Sequence, residues 1–101
     1  MKILRMIVLK SCQQELSDKL KASDYADSFT FTHVEGHGSP QENDPVLSIE
    51  DLVVGYTPKI CVDILVDELK LQKLLEAVRS IKGVKGQSVY WVTSADEFGS
   101  L

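Results

Sequence analysis

Pro58-Lys59-Ile60-Cys61-Val62-Asp63-Ile64-Leu65-Val66-Asp67-Glu68 decides the fold. Ile60, Val62, Ile64 and Val66 take alternate positions, so they share one face of a β-strand. The alternation stops at Asp67, whose carboxylate suits a helix N-cap. Leu71, Leu74, Leu75 and Val78 then recur at the i, i+3, i+4, i+7 spacing of a core-facing helix. Gly83 fits the positive-φ position just beyond that helix. Residues 87–93 are predicted to form a last strand, followed by a short acidic tail, 94–101.

Working back from Pro58, Ser28 to Glu35 alternates Phe29 and Phe31 with Thr30 and Thr32, a strand that Gly36 and Gly38 close. Residues 2–10 are apolar on both faces and read as a central strand. Ser11 is the expected N-cap of the next helix, with Gln14 completing a capping box. Leu16 and Leu20 mark its inner side, and it should stop near Ala22-Ser23-Asp24. The order is βαββαβ, an α+β ferredoxin-like arrangement with a four-stranded antiparallel sheet and both helices on one face.

Two consequences follow from that order. The segment 36–57 is longer than the connections of compact domains, which rarely exceed roughly 12–15 residues without binding something or being disordered. Its first half is polar, while Val46-Leu47-Ser48-Ile49-Glu50-Asp51-Leu52-Val53-Val54 is predicted to form a short turn or strand extension. Strands one and four also carry apolar residues on both faces, Ile3, Ile7 and Leu9 against Leu4, Met6 and Val8, and Val89 and Trp91 against Tyr90 and Val92. Two helices cover one face only, so a further copy of the chain is expected to cover the other in a closed ring.

Composition narrows the function. A chain of 101 residues reads as one domain, 1–101, able to bury a core without disulfides or metal. Net charge is −4 with no basic run, which argues against nucleic acid as a partner. No run of eighteen apolar residues and no signal-like start is present, so a cytoplasmic protein without membrane insertion is expected. Cys12 and Cys61 fit no CxxC pattern and read as reduced thiols.

Together these elements resemble the PII signalling proteins. The likeness rests on Thr32-x-Val34-x-Gly36-x-Gly38, on the strand from Pro58 to Glu68, and on Gly83-x-x-Gly86 ahead of Val89-Tyr90-Trp91-Val92. It spans nearly the whole chain. It implies a homotrimer of ferredoxin-like subunits in which 36–57 is the T-loop, the element that changes shape to engage a target protein. It also implies effector sites in clefts between subunits, usually for adenine nucleotides, built here from Gly36, His37 and Gly38 and from Gly83, Lys85, Gly86 and Gln87. The sequence departs from the family pattern at several points. Ser39-Pro40-Gln41 stands where PII proteins carry Arg-Gln, Val89 falls at the phosphate-binding lysine, and Asp96 and Glu97 replace C-terminal basic residues. The only loop tyrosine, Tyr56, sits at the base rather than the tip. The chain therefore resembles an offshoot of the family rather than a nitrogen regulator. Some PII-like branches are associated with heavy-metal efflux, and the related CutA trimers with divalent-cation tolerance. A membrane transporter or efflux component is the target this implies.

One cluster points to metal chemistry. Along a strand, His33, Glu35 and His37 fall in one row at steps of about 6.6 Å, and two imidazoles with a carboxylate suit a divalent transition metal. The competing reading makes His33 the continuation of the Phe29 and Phe31 row and leaves Glu35 solvated. Asp63, the one charge inside an apolar strand, reads as an ion pair with Arg5 or Lys59. Tyr90 and Trp91 read as core or subunit packing. Glu42, Asp44, Glu50 and Asp51 read as a solvated stretch able to meet a basic partner. No nucleophile stands with a base and an orienting acid, and no P-loop is present, so a non-enzymatic protein is expected.

Overall fold

The computed structural model describes residues 1–26, 28–37 and 57–101. The predicted order of elements is present: β1 (Lys2–Leu9), α1 (Gln13–Ala22), β2 (Ser28–Gly36), β3 (Thr57–Val66), α2 (Leu71–Arg79) and β4 (Val89–Ser94). All strand pairs are antiparallel and the sheet order is β2-β3-β1-β4. This is the ferredoxin-like α+β architecture, one helical layer on one sheet. The two most apolar strands, β1 and β3, lie side by side in the middle, and β2 and β4 form the edges.

Register explains the core. Met6 lies opposite Val62, which lies opposite Phe31, so one face gathers the alternate apolar positions of three strands. Leu4, Met6, Val8, Ile60, Val62, Ile64 and Val66 are buried there beneath Leu16 and Leu20 of α1 and Leu74, Leu75 and Val78 of α2. Burying each such side chain contributes roughly 1.5–3 kcal/mol. The opposite face carries Ile3, Ile7, Cys61, Leu65, Val89 and Trp91, and neither helix covers it. Val89 is 59% and Trp91 43% exposed, so the two-sided apolar strands expected from the sequence do leave one face to water in a single subunit.

Three local expectations are corrected. Ser11 does not cap α1. A 3-10 turn, Lys10–Cys12, lies between β1 and the helix and moves the N-cap position to Cys12, which makes no side-chain capping bond. Gln14, freed from a capping box, donates from Nε2 to Asp18 Oδ1 at 3.0 Å. Asp67 does cap, but not α2: its Oδ1 accepts from the Leu69 N–H at 2.8 Å at the head of a second 3-10 turn, Glu68–Lys70, and the N-cap position of α2 falls on Lys70, which makes no side-chain capping bond. The last strand begins at Val89 rather than Gln87 because the chain is still turning through residue 87. The turn expected over Val46–Val54, together with Gly38, Tyr56 and the acidic positions 42, 44, 50 and 51, lies outside the described residues.

Candidate functional site

After α2 the chain makes three successive tight turns. Ile81, Val84 and Gln87 donate their N–H groups to the carbonyls of Val78, Ile81 and Val84 at 3.1, 3.2 and 3.3 Å. Ile81 and Val84 are buried and anchor the segment to the core, while Lys82, Lys85 and Gly86 face outward and Gln87 is half-buried. Gly83 and Gly86 have φ of 93° and 81°, values that disfavour any side chain. Gly83 also lies close to Cys12: a Cβ there would stand 3.3 Å from its Sγ. Thus Gly83, Lys85, Gly86 and Gln87 share one surface turn, and Gly83, although at positive φ as expected, lies three residues beyond the C-cap Ser80 rather than directly after the helix. The anchors Ile81 and Val84 were not picked out from the sequence, although their three-residue spacing continues the helical stripe from Val78.

Gly36 and His37 lie elsewhere. Gly36 pairs with Thr57, which brings the two ends of the long connection side by side. The aliphatic stem of Lys59 crosses over Gly36, where a Cβ would sit 2.7 Å from Lys59 Cδ. His37 Nε2 approaches Glu35 Oε2 at 3.3 Å, with both side chains mostly exposed. His33 shares that face, opposite Ile60, and is exposed rather than packed, because the buried row ends at Phe31. His33, Val34 and Glu35 line an open hollow of about 240 Å³ with Lys10, Pro58 and Lys59. Among the described residues, no group of three His, Cys, Asp or Glu side chains is placed to hold a metal ion.

The two groups occupy the same end of the sheet. Val89, which follows the glycine turn, lies opposite Ile7 near the end of β1, and Leu9 lies opposite Lys59 beside the last β2–β3 pairs. They are nevertheless on opposite edges, with β3 and β1 between them. Three strand-to-strand steps separate β2 from β4 by roughly 14 Å.

Charged and thiol groups are distributed as follows. On the uncovered face Arg5 Nε contacts Asp63 Oδ1 at 2.6 Å, so Arg5 rather than Lys59 is the partner of Asp63. The hydrogen bond and charge of Asp63 raise the Arg5 pKa further. Arg79 lies 5.6 Å over the Tyr90 ring, and its Nη2 donates to the Tyr90 hydroxyl at 3.3 Å. Tyr90 is therefore a half-exposed stacking partner on β4, not a core residue. Both thiols are free. Burial pushes the Cys12 pKa up, against a smaller opposing hydrogen bond from Ser11. Burial and then the Asp63 charge push Cys61 up, while Arg5 pulls the other way.

The fold and the divided site define a small two-layer α+β protein whose candidate binding residues are shared between the two edges of one sheet. The chain belongs to the DUF3240 family, described as a protein of unknown function, whose sequence pattern matches residues 1–101. It is similar in fold to the crystal structure of a DUF3240 family protein from Shewanella baltica. The two share a TM-score of 0.76 and 16% identity, over 99% of this chain and 94% of that one. At that identity the likeness concerns the fold alone. No curated protein sequence matches the chain. Among the described residues, no helix is long and apolar enough to cross a membrane.

Proposed function

We propose that this chain is a non-enzymatic PII-like regulator: a homotrimer that binds a small effector in clefts between subunits and a target protein through residues 36–57. One observation carries the reading. Gly36 and His37 at the loop base and the turn of Gly83, Lys85, Gly86 and Gln87 stand at the same end of the sheet but on opposite edges. One subunit cannot close them around one ligand. A ring in which the β4 edge of each copy meets the β2 edge of the next joins them, and such a head-to-tail contact is the kind that generates closed rings. Adenine nucleotides are the first effector class to test: the glycine turn offers backbone N–H groups to an anion, and Lys85 adds charge. A membrane transporter or efflux component is the proposed target.

Native mass spectrometry of the protein taken directly from cells should report three copies with a retained small molecule. ATP, ADP or AMP should raise the melting temperature, since a ligand that binds only the native state stabilises it. Deletion of residues 38–56 should abolish recovery of the target while leaving the trimer intact. A single copy at micromolar concentration defeats the whole reading; silence from all three nucleotides defeats the nucleotide part.

The 3.3 Å approach of His37 to Glu35, with His33 in the same row, supports a second reading as a metal-binding or metal-tolerance protein. Three or four convergent ligands are needed, so a neighbouring copy or residues 38–56 would supply the remainder. Micromolar affinity for Zn²⁺, Cu²⁺ or Ni²⁺ that is lost in His33→Ala/His37→Ala is the result this reading requires.

A further inference from the structure

The turns that follow α2 carry cations at a regular interval. Val78, Ile81 and Val84 each begin one of the three tight turns, and all three are buried. The residue after each is a cation, Arg79, Lys82 and Lys85 in turn, and every one of these is exposed. Residues 77–95 contain no Asp or Glu, so this stretch carries +3 in a chain of net charge −4, which leaves −7 on the remainder. The helix dipole accounts for a cation in the last turn, such as Arg79, but its effect falls off beyond that turn. Lys82 and Lys85 lie past the C-cap Ser80. Neither side chain makes a hydrogen bond or ion pair among the described residues. The Arg79 side chain is held by the hydroxyl and ring of Tyr90, a neutral partner that leaves its charge uncompensated.

We infer that Arg79, Lys82 and Lys85 form a basic ridge that docks an extended acidic segment of a partner protein, one with Asp or Glu at alternate positions. Charge gives the sign of the partner, and spacing gives its form. A tight turn closes to under about 7 Å between its first and fourth Cα atoms. The three cations hold the same place in successive turns, so they advance by about that interval. In an extended strand, side chains two residues apart lie on one side at about 6.6 Å. Three alternate carboxylates can therefore meet the three cations in register, whereas adjacent acids point to opposite sides. An anionic bilayer, the competing surface, presents no fixed interval. The buried Ile81 and Val84 anchor the ridge to the core, so little order is lost when the partner arrives. The inference goes beyond the regulator proposed above: Arg79 and Lys82 stand outside its effector set, and Lys85 alone is common to both.

The test uses the full chain without nucleotide. The probe is a fluorescein-labelled peptide of alternating glutamate and threonine, followed by anisotropy at low ionic strength, where screening is weakest. Binding is expected, and Lys82→Glu/Lys85→Glu should raise the dissociation constant at least ~10-fold. The milder Lys82→Gln/Lys85→Gln should weaken binding in the same direction. Lys19→Glu/Lys21→Glu makes the same change of net charge at exposed positions of α1 and should leave binding nearly unchanged. A peptide of the same composition with its glutamates in one block should bind more weakly than the alternating one. Equal losses from the two charge reversals, equal binding of the two peptides, or no binding by the unsubstituted protein overturns the proposal. So does capture by phosphatidylserine vesicles without uptake of the peptide, which assigns the ridge to a membrane surface. The measurement requires neither a nucleotide nor a particular number of copies, so failure of the ring or of the effector leaves its result intact.

Discussion

Single residues set two measurable limits on this fold. The Cys12 and Cys61 thiols are both raised above their ordinary value of 9.0 by desolvation. In the folded protein they therefore keep their protons to higher pH than in the unfolded chain. The native state binds more protons once pH exceeds about 9, so stability is fully present below that value and falls as pH climbs through the folded-state pKa values. The urea midpoint should decline from about pH 9 upward, and Cys12→Ala should flatten that decline while lowering stability at neutral pH. A thiol-reactive dye should label half-buried Cys61 before Cys12, which is 7% exposed, and both slowly, since the thiolate is the reactive form. Gly83 and Gly86 give the second limit. Both have positive φ, a conformation that costs other residues roughly 1–2 kcal/mol. A Cβ at 83 also meets Cys12 Sγ at 3.3 Å, whereas nothing lies within 4 Å of one at 86. Chemical denaturation should accordingly show Gly83→Ala losing more stability than Gly86→Ala.

At the level of elements, the two helix starts look alike in sequence and differ in the molecule. Ser11 and Asp67 both follow an apolar strand, but Asp67 precedes its 3-10 turn as the N-cap, whereas Ser11 lies inside one, Lys10–Cys12, behind Leu9. Asp67 has its carboxylate on the Leu69 N–H, and Asp67→Ala should cost about 1 kcal/mol. Ser11 makes no capping bond, so Ser11→Ala should change the unfolding free energy by less than about 0.5 kcal/mol. The four strands and two helices were legible because Phe29 and Phe31, Ile60 to Val66, and Leu71 to Val78 each keep one period throughout. The 3-10 turns were not, because three residues are too short to establish a period and the capping residues are the same for both helix types. The candidate site was legible as residue types only. Gly83, Lys85, Gly86 and Gln87 are neighbours in sequence, so one connecting segment holds them, whereas the exposure of Lys85 was not legible, because it depends on the burial of Ile81 and Val84. That Gly36 and His37 share an end with them but not an edge depends on the sheet order, which no local pattern encodes. His33 illustrates the same limit: its strand parity with Phe31 was readable, while its exposure reflects where the helices stop covering the sheet.

For the whole molecule, the question is which surface of the sheet counts as interior. Val8 and Ile7 are adjacent in β1 and point to opposite faces. Val8 is fully buried beneath the helices, and Ile7 lies half-buried on the open side between Cys61 and Val89. Placing an unpaired carboxylate in the helix-covered core should unfold the chain, so Val8→Glu is expected to give no cooperative transition by circular dichroism. Ile7→Glu separates folding from assembly. If water is the only neighbour of the open face, a glutamate there replaces a half-buried apolar group at the solvent boundary and leaves both the cooperative transition and the particle mass in place. If a second copy covers that face, the same substitution buries a charge in the contact, and the particle should fall to a single folded copy with Trp91 emission shifted to the red. The second outcome is the one expected here, because Val89 and Trp91 stand 59% and 43% exposed on the same face as Ile7, apolar surface that one isolated subunit does nothing to shelter. An Ile7→Glu protein that keeps the mass of the unsubstituted one would mean that the open face is not where copies meet.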